Sequence, residues 1–213
     1  MISQIATITP LQPDNFLVHH RSQEQRDLVI LKYMARKVSH HFQLSPIQVE
    51  TSFPLRRTLE ERREREHHTV IFNPAELVKI RDFAFVGFVG TRQQAISSSV
   101  YNELLQADRQ LVAEISHMPG FLGYASLELR PGLWYNLVVL EDYELKSHLL
   151  GSEAHKYAAH QLAPRYYDWI RLHSGVIRNG LASGDFVLQR TKFYHFPGGL
   201  QAVSQASAVQ PHN

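Results

Sequence analysis

The run FLGYASLELRPGLWYNLVVLE, Phe121 to Glu141, constrains this chain more than any other stretch. Apolar residues recur at alternate positions on both sides of Arg130-Pro131-Gly132. Proline presets one turn torsion and glycine relaxes the next. The spacing therefore predicts two antiparallel strands, Phe121–Leu129 and Leu133–Glu141, joined by a tight turn. So apolar a hairpin cannot stand alone in water and needs further layers over it.

The flanking segments supply candidates. FAFVGFVG (Phe83–Gly90) is short, aromatic and rich in valine, which predicts a buried strand. Residues 97–116 predict a helix: Ser97–Ser99 offer capping hydroxyls, and Val100, Leu104, Ala107, Leu111 and Ile115 form one apolar stripe. Residues 143–172 predict a second helical stretch, split or kinked at Pro164. A loop over Ser174–Gly184 then leads to a last strand, Asp185–Phe196. The order strand, helix, strand, strand, helix, strand is that of the ferredoxin-like split unit. This is an α+β fold with two helices on one face of a four-stranded antiparallel sheet. Phe83, Phe85, Leu137 and Val139 are too apolar to leave its other face in water, and sheet-on-sheet dimerisation is one way to cover them.

Residues 1–80 read as an N-terminal extension to this domain, which spans 81–196. Ser22 and Gln25 have capping-box spacing, and Leu28, Leu31, Ala35, Val38 and Phe42 recur at helical intervals, predicting a helix over 23–42. Ile47, Val49, Thr51 and Phe53 alternate as a short strand would. RRTLEERREREHH (Arg56–His68) reads as a solvated helix or flexible arm. Residues 197–213, polar or small, read as a disordered tail.

Composition narrows the chemistry. The absence of cysteine removes thiolate metal sites, disulfides and thiol nucleophiles, and fits a reducing, cytoplasmic setting. A net charge of +2 lacks the one-sided basic surplus of a nucleic-acid binder. No apolar run is long enough for a membrane span, and the first residues lack the pattern of a signal peptide. Gly87 and Gly90 form a GxxG inside a strand, not a phosphate loop.

Three phrases, MPGFLGYASLE (Met118–Glu128), NLVVLEDYE (Asn136–Glu144) and HLLGSEAHKYAAH (His148–His160), resemble the antibiotic-biosynthesis-monooxygenase-like domains of the dimeric α/β-barrel superfamily. In that family a "PGF" opens the second strand and a helix reading "H..S..H" lies beside a cavity. The resemblance covers roughly residues 81–196. It implies a homodimer, a cavity for a small apolar or phenolic molecule, and cofactor-independent oxidation or isomerisation. It also leaves open a non-catalytic ligand-binding or partner-binding module acting through residues 1–80, and haem binding.

Within that frame the residues point to a site. On a continuous helix His148 and His155 would share one face about 10 Å apart, too far for one metal ion, so no metal is expected, and the resemblance implies no required cofactor. Either imidazole suits acid–base work near neutral pH. Alternation places Trp134 and Asn136 on one face of their strand, and Asn136 is either paired in the core or aimed at a ligand, where an enzyme would use it as a polarising donor. Tyr166, Tyr167 and Trp169 are spaced like helix-packing residues, and Tyr166 joins Asn136 and Trp134 as a substrate contact. His160, close to Pro164, and His173, at a helix end, read as structural, and Arg171 as solvated.

Overall fold

A computed structural model describes residues 13–44, 54–62, 65–145, 147 and 151–196, with side chains over 21–43 in the first segment. Its strands are β1 (Leu55–Glu61), β2 (Arg65–Ile71), β3 (Phe83–Arg92), β4 (Phe121–Arg130), β5 (Leu133–Leu140), β6 (Tyr167–Arg178) and β7 (Asp185–His195). They form one antiparallel sheet in the order β1-β2-β4-β5-β3-β6-β7. Its helices are α1 (Pro13–Leu44), α2 (Pro74–Lys79), α3 (Ser98–Ile115), α4 (Glu153–Tyr157) and α5 (Ala163–Tyr166), with a π-turn at Ala158–Leu162 between the last two. The architecture is α+β. Among the described residues no helix is long and apolar enough to cross a membrane.

The β4–β5 hairpin forms as its alternation requires. Gly132 takes a positive φ of 80°, and its amide donates to Glu128 Oε1 (2.6 Å). Ser97 caps α3 by accepting from the Val100 amide (3.3 Å). Asn73 does the same for α2 through Glu76 (3.2 Å), with Pro74 in the first turn.

Four expectations are corrected. Helix α1 begins at Pro13, so Ser22 lies inside it and caps nothing. Arg56–His68 is neither helix nor loose arm; most of it forms the β1–β2 hairpin, which extends the sheet beyond β4. Leu55, Leu59, His67, Thr69 and Ile71 fall at period two within it, while charged neighbours suit an exposed edge. Tyr167–Leu172 is strand, not helix, and with residues 173–178 it forms β6. Strand β6 is buried on both faces, which blurs the two-residue alternation toward a continuous apolar run. Finally, the sheet has seven strands rather than four, with Asp185–His195 at its edge beyond β6. The strand read over Ile47–Phe53 and the tail from Pro197 lie outside the described residues.

The two sheet faces have different covers. Helix α1 lies on the face carrying Phe83, Phe85, Leu137 and Val139, and Leu31, Met34, Ala35 and Val38 are fully buried against it. Gly87 permits this approach, because a Cβ there would collide with the Leu31 side chain. The apolar face that dimerisation was one way to cover is thus covered by the chain's own helix. On the other face lie α3 and the α4–α5 segment, packed over Val70, Phe72, Ala84 and Tyr124 at one end and over Tyr166, Tyr167 and Ile170 at the other. Gly90 serves that side: a Cβ there would stand 2.8 Å from the Tyr167 ring.

Candidate functional site

Strand β5, LWYNLVVL, separates the faces residue by residue. Leu133, Tyr135, Leu137 and Val139 are buried toward α1, whereas Trp134, Asn136 and Val138 point the other way and are each only half-buried. Register extends this strip across the sheet. Asn136 stands between Ser126 of β4 and Phe88 of β3, and Phe88 is opposite Leu172 of β6. Trp134 stands between Glu128 and Gly90. Val86, Phe88, Ser126 and Leu172 are likewise partly exposed. The described residues of the helix-side layer therefore only half cover the middle of the sheet.

Two polar atoms in this strip, Asn136 Oδ1 and Trp134 Nε1, are buried without a hydrogen-bond partner among the described residues. A buried group left unpaired costs about 1–3 kcal/mol, and two on successive same-face positions make a concentrated cost. One atom accepts and the other donates, so the pair complements a ligand bearing a hydroxyl and a carbonyl.

Aromatic side chains wall the Trp134 end. Phe88 meets Tyr167 edge to face at 5.2 Å, Tyr167 meets Tyr166 at 4.7 Å, and Tyr166 stacks on Tyr101 at 6.5 Å. Gln93 Nε2 holds this corner by donating to the carbonyls of Pro164 and Tyr167 (3.1 Å each). Pro164 opens α5, where a missing amide costs little. At the other end Tyr124 Oη donates to Asp108 Oδ1 (3.2 Å). Asp108 keeps an edge in solvent, yet crowding by protein atoms raises its carboxyl pKa, only partly countered by the Tyr124 hydroxyl. Its position beside the apolar stripe of α3, four residues after Leu104, was the signal available in the sequence.

The expected site residues divide. Trp134 and Asn136 share a face, and Tyr166 packs with Tyr167, whose ring abuts Gly90, the register partner of Trp134. His155 is half-buried on α4, its amide donating to the cap Ser152 Oγ (3.1 Å). Ser152 has extended backbone (φ −64°, ψ 133°), so α4 starts only after it. His148 itself lies outside the described residues. Among the described residues no group of three or more histidines and carboxylates could hold a metal ion.

The sequence reading missed a second polar cluster, on the α1 face. Asp27 of α1 is buried and accepts from Arg171 Nε (2.7 Å) and Nη2 (3.2 Å), His173 Nε2 (3.0 Å) and Tyr135 Oη (2.9 Å). Burial pushes its carboxyl pKa up, but the bonds from His173 and Arg171 outweigh this and hold it below the ordinary value. Burial and the Asp27 charge together raise the Tyr135 hydroxyl pKa. Arg171 is thus an ion-paired interior residue, and His173 is a fully buried strand residue rather than a helix end. Along the same helix, Glu61 accepts from Tyr33 and from His67 Nδ1 (3.2 Å), while His41 pairs with Thr69 Oγ1 (2.8 Å).

No protein-family model and no curated protein matches the sequence. The chain is similar to the solved structure of SnoaB, a cofactor-independent oxygenase from Streptomyces nogalater. Identity is 17% and the TM-score 0.34, over 46% of this chain and 92% of that one. A likeness of this size carries nothing about substrate or mechanism.

Proposed function

We propose that the half-covered helix-side strip around Trp134 and Asn136 is a cleft that binds a small, mostly apolar phenolic molecule and acts on it without a cofactor, as an oxygenase or isomerase. The observation that carries this reading is the pair of buried, unpartnered atoms on β5, set among half-exposed Phe88, Val138 and Leu172. A flat ring system would fill the apolar strip. Its hydroxyl would donate to Asn136 Oδ1, and its carbonyl would accept from Trp134 Nε1. Beside the Tyr166–Tyr167 wall such a ring has aromatic neighbours in edge-to-face reach.

Proton removal from a phenol-activated carbon is the step the protein must supply. His148 or His155 is the base, since an imidazole titrates in the working range. Dioxygen would then oxidise the resulting anion, a CH2 group becoming C=O with release of water. Return of the proton elsewhere would be isomerisation. A partner-binding arm built from residues 1–80 is less favoured, because α1 and the β1–β2 hairpin are part of the sheet and its cover. A homodimer, if formed, must use a surface other than the α1-covered face.

The test is titration of a Trp169→Phe variant, which leaves Trp134 as sole fluorophore, with dithranol, a phenolic anthrone. Saturable quenching, lost in Asn136→Leu, is expected, with oxygen uptake and quinone formation faster than the buffer rate and slowed in His148→Ala or His155→Ala. Binding without turnover would leave the non-catalytic ligand module. A Soret band on haem titration with no dithranol binding would replace both.

A further inference from the structure

A second cleft lies on the opposite side of the sheet, where the Gln23–Ile30 stretch of α1 meets the end of the β4–β5 hairpin and the start of β6. It measures about 470 Å³, in the range of small-molecule sites. Arg26, Arg130 and Arg171 contribute to its lining, against a single carboxylate, Asp27. Asp27 is engaged by four donors from Arg171, His173 and Tyr135, so its charge is already neutralised inside the protein. Arg171 is equally committed. It also donates to Gln23 Oε1 (2.9 Å) and lies over the Trp169 ring, 4.3 Å from the centroid.

Arg26 and Arg130 are different. Both are exposed, both line the cleft, and neither forms an ion pair with a described residue. The apolar part of the lining is also left open: Val29 is 63% exposed, and Ile30, Leu129 and Trp169 are partly so. Two uncompensated guanidinium groups beside an apolar wall complement a ligand with one anionic end and one apolar end. Arginine matches a carboxylate through paired N–H donors, which a neutral amide cannot replace.

We propose that this cleft is a binding site for a small amphiphilic carboxylate, an acyl or aryl acid. Arg26 and Arg130 hold the carboxylate, while Val29, Ile30 and Trp169 receive the apolar body. The Asp27–Arg171 pair fixes the floor and is a positioning element, not a ligand contact. The site is separate from the Trp134 cleft, because Trp134 and Trp169 stand on opposite faces of one sheet.

The chain holds two tryptophans, so each cleft has its own reporter. In the full-length Trp134→Phe variant, octanoate should change Trp169 emission saturably, with calorimetry on the wild-type chain reading the same affinity. Octanamide should bind at least about tenfold more weakly, the scale of one charge-assisted contact. Arg26→Gln with Arg130→Gln should weaken octanoate by a similar factor without lowering the melting temperature, and added salt should act in the same direction. In Trp169→Phe, the Trp134 emission should not respond to octanoate. Equal affinity for octanoate and octanamide, undiminished binding in the arginine double variant, or no heat and no Trp169 response would each overturn the proposal. None of these outcomes bears on dithranol binding at Trp134, so the two sites fail or stand separately.

Discussion

Asp27 and Arg171 lie 144 residues apart in the chain and meet in a two-pronged buried ion pair, Nε to Oδ2 at 2.7 Å and Nη2 to Oδ1 at 3.2 Å. The pair ties α1 to β6. Removing one partner strands the other charge in the interior, a change that typically costs about 3–5 kcal/mol. Asp27→Ala should lose stability on that scale in urea denaturation. Asp27→Leu combined with Arg171→Met should cost much less than the two single changes summed. Additive, small losses would show that water reaches the pair.

Acid should loosen the same interface in two stages. Burial holds the pKa values of His41 and His67 below the ordinary 6.5, with Glu61 only partly opposing this for His67. Both favour the neutral form when folded, so the unfolded chain binds more protons once pH drops below about 6.5. Their contribution is complete above that value and declines as pH falls through the lowered folded pKa values. Asp27 and Glu61, held below their ordinary values by hydrogen bonds that outweigh burial, retain theirs until pH falls below about 4. A urea midpoint followed from pH 8 downward should begin to fall near 6.5, and His67→Gln should flatten that first decline. A midpoint constant to pH 5 would contradict the assignment.

Two glycines should respond oppositely to alanine. Gly175 sits at the β6–β7 register shift, where a Cβ would run into the Val187 carbonyl oxygen. Backbone cannot retreat as a side chain can, so Gly175→Ala should cost about 2 kcal/mol or more. At Gly151 no described residue lies within 4 Å of an added Cβ. Gly151→Ala should be neutral or gain up to about 1 kcal/mol. Thermal melts of the two variants give the comparison directly.

Asn136→Leu should separate stability from function. It removes a buried acceptor that has no donor, so the unliganded protein should gain about 1 kcal/mol. The same change should abolish phenolic binding at the Trp134 cleft. Loss of both stability and binding would mark Asn136 as a structural residue instead.

Much of the layout was legible because it rests on local rules. The β4–β5 hairpin followed from alternation around Arg130-Pro131-Gly132, and α3 from its stripe and Ser97 cap. Strand β3 and the apolar face of α1 were equally plain. The same alternation placed Trp134 and Asn136 together, since side-chain direction in a strand has period two wherever the strand lies. Arg56–His68 was misread because charge density masks alternation in an edge strand. Tyr167–Arg178 was misread because a strand buried on both faces loses its polar beat.

By itself the sequence determined an α+β chain with an apolar hairpin at its centre, an amphipathic helix before it, and no thiol chemistry. Tertiary structure decided what that helix covers: α1 closes the face otherwise available for dimerisation. It also turned Arg171 and His173 from an expected surface cation and a helix end into partners of Asp27. The difference is one of range. Propensity and periodicity act over a few residues, whereas desolvation, ion pairing and an unpartnered Asn136 Oδ1 depend on groups brought close only by folding.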